Sequence, residues 1–77
     1  MAGPVKRSVT IAGHETSISL EPVFWGALKD AAENLSLPVN AVIAQIDAAR
    51  IESEDPANLA SASRVWLMER ATALSKD

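Results

Sequence analysis

The feature that most constrains the fold is one short strand followed directly by helical patterns, in a chain of only 77 residues. Residues 16–21 read Thr-Ser-Ile-Ser-Leu-Glu, an alternation of polar and apolar side chains that is typical of a half-buried strand. Unpaired backbone donors and acceptors are costly to bury, so this strand needs another strand beside it. Unless the preceding residues supply one, the simplest partner is the same strand of a second copy. The sequence therefore predicts a homodimer.

The size of the chain supports the same prediction. A domain of roughly 60 to 80 residues buries only about 60% of its unfolded surface and usually needs a disulfide, a metal or another copy for stability. The chain has no cysteine, which excludes a disulfide and a thiolate metal site, and His14 alone cannot hold a metal ion. We expect no metal and no other cofactor. Since 48% of the residues are hydrophobic, we expect apolar surface to be buried between two copies.

Charge and hydropathy indicate where the protein acts. No apolar run approaches the roughly 20 residues that span a bilayer, and the first residues lack the apolar stretch of a secretory signal, so we expect a cytoplasmic protein without membrane contact. Lys6 and Arg7 against Glu15 give residues 1–20 a net charge of +1, whereas residues 21–77 carry five basic and nine acidic side chains, a net charge of −4. The N-terminal part is thus the basic part of an acidic chain.

The N-terminal arm, residues 1–13, also has a strand-like alternation. Gly13 interrupts it, and glycine within a strand pattern indicates a bulge or a turn. Either Val9 to Ile11 fold back on Ser17 to Leu20 as a hairpin, or the whole segment is one kinked arm. We favour the single arm.

The strand itself has two different faces. Thr16, Ile18 and Leu20 lie on the face expected to join the core, and Glu15, Ser17 and Ser19 lie on the solvent face.

Helical spacing of apolar residues predicts three helices. The first runs from about Pro22 to Glu33, because proline fits the first helical position, and the second ends near Arg50 after a turn at residues 34–38. Residues 51–57 are acidic and without periodicity, which predicts a solvated connector. The third helix runs to about Leu74.

Two local details of the helices remain open. Either Asp55 caps the third helix with Pro56 in first position, or Asn58 caps a start at Leu59. In the second helix, Asp47 and Arg50 are three residues apart and are expected to form a local ion pair. If Asp47 is buried, Arg64 is a candidate second partner.

These segments resemble the ribbon-helix-helix family of small, dimeric, bacterial-type DNA-binding regulators. The resemblance rests on the strand at residues 17–20 and on the helical sequences at residues 21–28 and 40–50, and it covers residues 14–50. The tail from Asn58 is similar to a subgroup that adds a third helix, here within residues 58–77.

The resemblance implies a mainly α fold. Two copies would form an intertwined homodimer, in which one strand from each copy pairs into a two-stranded antiparallel intermolecular ribbon. The dimer core implied by the match consists of Ile18, Leu20, Trp25, Leu28, Val42, Ile43 and Ile46.

The resemblance also implies a function. In such proteins the ribbon enters the DNA major groove and the second helix points its N-terminus at a phosphate, which agrees with groove size and with anion binding at helix ends. The implied role is a transcriptional regulator or an antitoxin-like autorepressor. The residues expected to contact DNA are Lys6, Arg7, Glu15, Ser17, Ser19, Ser36 and Asn40.

A second hypothesis uses the same scaffold differently. Glu15 on the ribbon, Pro38 beside the second helix and the net charge of −3 favour a dimeric protein interaction module with weak or lost DNA binding. Its partner would bind an apolar groove on the third helix, formed by Leu59, Trp66, Leu67 and Leu74. We expect no enzyme and no catalytic residues, because the chain has no nucleophile with a base and no glycine-rich phosphate loop.

Overall fold

Two strands and then three helices make up the fold in the computed structural model, which describes residues 2–53 and 58–75. The elements are β1 (Val5–Ile11), β2 (His14–Leu20), α1 (Pro22–Leu35), α2 (Val39–Glu52) and α3 (Leu59–Ser75).

The two strands form an antiparallel hairpin along their whole length, with Val5 opposite Leu20 and Ile11 opposite His14. The loop between them is Ala12 and Gly13, whose φ angles are 51° and 80°. Two successive positive φ angles are the requirement of a type I′ turn, whose twist matches that of the paired strands. The expected single arm is therefore wrong, and the hairpin is the correct alternative.

This hairpin removes the argument from which we expected a second copy. The strand pattern of β2 requires a partner strand, and β1 of the same chain supplies it. Because β2 pairs within its own chain, the strand does not by itself require a second copy.

The faces of the hairpin follow from its register, because residues directly opposite each other point to the same side of a sheet. Val9, Ile18 and Leu20 are buried on the inner face against the helices. Thr16 shares that face near the turn, where it is exposed. The predicted core face of β2 is confirmed for Ile18 and Leu20, whereas Thr16 on the same face is exposed.

The helices extend slightly beyond the predicted ends. α1 starts at Pro22 as expected and continues to Leu35, where Ser36 takes the left-handed conformation with φ 56°. The amide of Leu37 then donates to the carbonyl of Ala32 at 2.9 Å, the closing bond of a Schellman cap. α2 runs to Glu52, two residues into the predicted connector, whose residues 54–57 lie outside the described part of the chain.

The start of α3 settles the question of its cap. The Oδ1 atom of Asn58 accepts a hydrogen bond from the amide of Ser61 at 2.9 Å, and its carbonyl accepts one from Ala62. These are the contacts of an N-cap residue, so α3 begins at Leu59. The alternative cap at residues 55–56 lies outside the described residues.

One hydrophobic core lies between the inner face of the hairpin and the three helices. It contains all seven residues assigned to the dimer core, each at most 9% exposed within a single chain: Ile18, Leu20, Trp25, Leu28, Val42, Ile43 and Ile46. Full burial of a leucine or isoleucine side chain contributes about 1.5 to 3 kcal/mol. Burial of these side chains therefore does not require a second copy.

An ion pair attaches α3 to the start of α1. Arg64 donates from Nε to Oε1 of Glu21 at 2.9 Å and from a terminal nitrogen to Oε2 at 3.2 Å, and its guanidinium lies 5.7 Å from the centre of the Phe24 ring. Leu67 of the same helix is buried in the core. The third helix thus packs on its own chain.

The expected pair within α2 is also present. Arg50 contacts Asp47 at 2.7 Å, which confirms the local pair. Arg64 pairs with Glu21, so it is not the second partner considered for Asp47.

A backbone hydrogen bond at Glu21 and the hydrogen bond from Arg64 lower the pKa of the Glu21 carboxyl group, and desolvation opposes them weakly. The carboxylate form is therefore favoured in the folded chain.

Candidate nucleic-acid interface

The outer face of the hairpin is the candidate interface, and we call it the ribbon face. Its six residues form three directly opposed pairs: Lys6 with Ser19, Ser8 with Ser17, and Thr10 with Glu15. All six are polar, four carry hydroxyl groups, and all are exposed except Ser19, which is half-buried. Opposed side chains in such a ribbon are about 4.5 to 5.5 Å apart, and successive pairs are separated by about 6.8 Å. The ribbon face is thus a narrow polar strip able to form hydrogen bonds.

Arg7 is not on this face. The register places it opposite Ile18, on the inner face, where its guanidinium lies 5.3 Å from the centre of the Trp25 ring. The indole nitrogen of Trp25 in turn donates to the carbonyl of Val5 at 2.9 Å. These two contacts hold β1 against α1. Lys6 and Arg7, which we expected to act together on DNA, therefore point to opposite sides of the hairpin.

An open cleft lies beside Arg7, with a volume of about 280 Å³, and Lys29 of α1 also lines it. Arg7 is exposed as well as stacked, so its charge remains accessible from this side. Lys6 does not line this cleft.

The turn of the hairpin lies near the second half of α2. His14, Ser17 and the Asp47–Arg50 pair line one open cleft of about 360 Å³, together with Leu59 at the start of α3. Within residues 2–53 and 58–75, no cluster of three or more His, Cys, Asp or Glu side chains is arranged to hold a metal ion.

The start of α2, expected to clamp a phosphate, offers few backbone donors. The amides of Ser36 and Leu37 donate to carbonyls at the end of α1, and Pro38 has no amide. The amides of the third and fourth residues of α2 donate to the carbonyl of Pro38. Those of Val39 and Asn40 are the first two amides of the helix and so have no acceptor within it. The side chains of Ser36 and Asn40 are both exposed. Two amides remain for an anion at this helix end.

Comparison with known families decides which fold family this is. The chain matches the ribbon-helix-helix domain over residues 4–71, a range that begins before β1 and ends within α3. It belongs to the ribbon-helix-helix family. Ribbon-helix-helix domains generally bind DNA as transcription regulators or antitoxins and are typically non-enzymatic. The chain has no significant match among curated proteins or solved structures.

The ribbon face of this ribbon-helix-helix domain is electrically neutral, since Lys6 and Glu15 are its two charged residues. The arginines outside the ribbon face each contact another side chain. Arg50 and Arg64 form ion pairs with Asp47 and Glu21, and Arg7 and Arg70 lie over the rings of Trp25 and Trp66. Phosphate neutralisation supplies much of the affinity of proteins for DNA, and the ribbon face contributes one cation per chain to such contacts.

Two residues of the ribbon face were not among the predicted site residues. Ser8 and Thr10 lie beside Ser17 and Glu15, at the same level of the ribbon. The alternation of β1 was visible in the sequence and placed them on one side of a strand. Only the hairpin, however, shows that this side is continuous with the outer face of β2.

The described helices give no sign of a membrane segment: within residues 2–53 and 58–75, none combines the length and the apolar character that crossing a bilayer demands.

Proposed function

We propose that this ribbon-helix-helix protein is a small transcriptional regulator that reads the DNA major groove with its ribbon face. The observation that carries the proposal is a two-stranded ribbon with one face buried against the helices and the other polar and exposed. The major groove is about 12 Å wide and admits a two-stranded ribbon, whose strands lie about 4.8 Å apart. The proposal places the protein in the cytoplasm of a bacterial-type cell, with DNA as its partner and no cofactor.

The side chains of the ribbon face have distinct proposed roles. Ser17 and Ser19 donate to and accept from base edges, with limited discrimination because a hydroxyl group suits several bases. Lys6 contacts a phosphate or a guanine edge. Glu15 can accept from the amino group of cytosine and repels phosphates, so it favours a base over the backbone. Asn40 and Ser36 lie near the N-terminal end of α2, where the amides of the first two helical residues can bind a phosphate.

A homodimer is part of this proposal, because ribbon-helix-helix proteins typically act as DNA-binding dimers. The type I′ turn makes Ile11 and His14 a hydrogen-bonded pair, and the pairs alternate from there. The backbone groups of Glu15, Ser17 and Ser19 then point away from β1. A second β2 strand can pair along this edge, which is the intermolecular ribbon implied by the resemblance.

Proline substitutions test this dimer edge with a matched control. Ser17→Pro removes an amide from the open edge of β2, and Ser8→Pro removes one from the open edge of β1, while both leave the hairpin bonds in place. Sedimentation of folded protein should give a monomer for Ser17→Pro and a dimer for Ser8→Pro. Unchanged association of Ser17→Pro would exclude the β2 edge as the interface.

Selection of bound fragments from random DNA at about 100 mM salt tests the main proposal. Wild type should enrich a sequence, and Ser17→Ala should relax the preference at one position. Lys6→Ala should weaken binding to all sequences and reduce the salt dependence by about one charge per chain. The control Lys29→Ala, on α1 away from the ribbon face, should change the preference little. Folded wild type that enriches nothing would refute the proposal.

An antitoxin-like autorepressor is a narrower form of the same proposal, in which a protein partner binds beside the DNA site. The neutral ribbon face favours a second candidate function, the interaction module. The groove expected on α3 is formed only in part: Leu67 is buried and Leu59 packs on the core, whereas Trp66 lines an open groove. An open groove of about 320 Å³ instead lies between α2 and α3, bordered by Val65, which is 57% exposed.

The interaction module and the regulator differ in how they respond to two substitutions. Val65→Ser should impair the module and leave DNA selection intact, whereas Ser17→Ala should do the reverse. Comparison of the two variants in DNA selection and in co-purification with cellular proteins distinguishes the functions.

A further inference from the structure

We propose that the cleft between β1 and α1 holds a phosphate group of the DNA backbone, bound by the side chains of Arg7 and Lys29. We call it the β1–α1 cleft, and the residues that line it are Val5, Arg7, Pro22, Trp25, Gly26 and Lys29. This inference rests on the proposed function and adds a contact outside the ribbon face. Lys29 was not among the predicted DNA contacts.

The β1–α1 cleft is positively charged, although the whole chain has a net charge of −3. Arg7 and Lys29 line it, and none of the described carboxylates does. Both side chains are exposed, and neither forms an ion pair within the described part of the chain. Their charges are therefore available to an anion that enters the cleft.

Packing orients the Arg7 side chain before any anion binds. Trp25 is buried, and its indole nitrogen donates to the carbonyl of Val5 at 2.9 Å, which holds the ring in place. The guanidinium of Arg7 lies over this ring, 5.3 Å from its centre. Its N–H groups donate to no acceptor among the described residues, so they can form the two parallel hydrogen bonds by which arginine binds a phosphate.

The α1 side of the cleft is open because Gly26 has no side chain. Pro22, Trp25, Gly26 and Lys29 follow one another at spacings of three or four residues and form one stripe of α1. A Cβ atom at position 26 would meet no atom of another part of the chain within 4 Å. Long side chains on a helix lean toward its N-terminus, which brings Lys29 toward this space. The cleft has a volume of about 280 Å³.

The proposed dimer places the β1–α1 cleft beside the DNA backbone. When two β2 strands pair, each β1 becomes an outer strand about 7 Å from the midline of the sheet, at the wall of a groove about 12 Å wide. Because the groove is about 8.5 Å deep, side chains that reach the bases leave the phosphates level with the outer strands. Arg7 on the inner side of β1 and Lys29 beside it therefore face phosphates and not bases.

The salt dependence of DNA binding tests the proposal. A duplex of random sequence suffices, because phosphate contacts carry no sequence information. Arg7→Met and Lys29→Met keep an unbranched stem and remove the charge, and each should weaken binding by about 3- to 10-fold at about 100 mM salt. The double variant should reduce the slope of log affinity against log salt by about 0.9 per chain. Fluorescence anisotropy with the full chain measures both quantities.

Arg70→Met is the matched control for these variants. Arg70 also lies over a tryptophan ring, at 5.7 Å from the centre of Trp66, but it is on α3 and does not line the β1–α1 cleft. Its substitution should change neither the affinity nor the salt dependence. None of these variants should alter the base preference in fragment selection, so Lys29→Ala remains a control for preference alone.

Gly26→Glu tests the cleft without loss of folding. Glutamate is a better helix former than glycine, so the variant should be at least as stable as wild type in urea denaturation. Its carboxylate enters the cleft and should weaken DNA binding by about 10-fold at about 100 mM salt. Ala73→Glu adds the same charge at an exposed position of α3 and should weaken binding much less.

The outcomes separate this inference from the function on which it rests. Folded wild type that neither binds the duplex nor enriches a sequence overturns the proposed function. If wild type binds and the Arg7 and Lys29 variants behave like Arg70→Met, the cleft holds no backbone phosphate and the inference is wrong. A changed base preference in these variants would place the two side chains on bases and also overturn it.

A titration with inorganic phosphate distinguishes the two sources of a phosphate group. The nuclear magnetic resonance signal of the Arg7 Nε–H group reports on an anion in the cleft. A saturable shift of this signal with inorganic phosphate, together with unchanged DNA binding of Arg7→Met and Lys29→Met, would assign the cleft to free phosphate and overturn the inference. We expect the signal to shift on addition of the DNA duplex.

Discussion

A disulfide between positions 8 and 17 tests the hairpin directly. In the observed register Ser8 lies opposite Ser17, and alternation from the type I′ turn makes them a non-hydrogen-bonded pair with Cα atoms about 4.5 Å apart. That separation lies within the range of natural disulfides. Because the chain has no cysteine, a double variant with cysteine at both positions can form no other intrachain bridge. We expect it to oxidise within one chain.

The expected gain in stability follows from the length of the closed loop. The bridge closes a loop of about ten residues, 8–17, and in the chain-entropy model this stabilises the fold by about 2.5 to 3 kcal/mol. The measurement is the urea midpoint of the oxidised protein against that of the reduced protein, with the linkage assigned on a non-reducing gel.

The matched control places cysteines at Ser8 and Thr16. These residues are neighbours in the hairpin but point to opposite faces, so their sulfur atoms cannot meet without backbone movement. The control should remain reduced under the same oxidant. Failure of positions 8 and 17 to form a bridge within one chain, or an intrachain bridge that leaves the urea midpoint unchanged, would refute the intrachain hairpin.

Three further predictions concern stability. Leu28→Ala should lower the free energy of unfolding by about 2 to 5 kcal/mol in urea denaturation, since Leu28 is fully buried, and a loss below 1 kcal/mol would contradict its place in the core. Ala12→Asn should raise it by roughly 0.5 to 1 kcal/mol, because asparagine tolerates the left-handed conformation of Ala12 better, whereas Ala12→Val should lower it. The pKa of Glu21 is lower in the folded chain than in the unfolded chain, so the ionised carboxylate stabilises the fold. This contribution is complete above the ordinary glutamate pKa and is lost as pH falls through the lower folded-state pKa. Unfolding of Arg64→Met at a series of pH values should therefore show a weaker acid dependence than wild type, and an identical dependence would contradict the role of this pair.

The sequence by itself determined the helices and their inward faces. The helical spacing of apolar residues predicted the ends of α1 and α2 to within two residues. This spacing and the proline at position 22 are local signals that can be read without the tertiary structure. The same spacing identified Leu28 and Ile43 as core residues, since any compact packing of these helices must bury that side. The ribbon-helix-helix resemblance followed from these same segments.

Tertiary structure decided what the N-terminal segment does. Its alternation fits a free arm, a strand of a dimer or half of a hairpin equally well, because an alternating pattern predicts a strand but not the strand with which it pairs. Pairing of β1 with β2, fixed by the turn at Ala12 and Gly13, chose the hairpin. In this hairpin Arg7 lies on the inner face against Trp25, and Ser8 lies beside Ser17 on the outer face. Long-range register, which no local pattern specifies, thus determined the composition of the ribbon face.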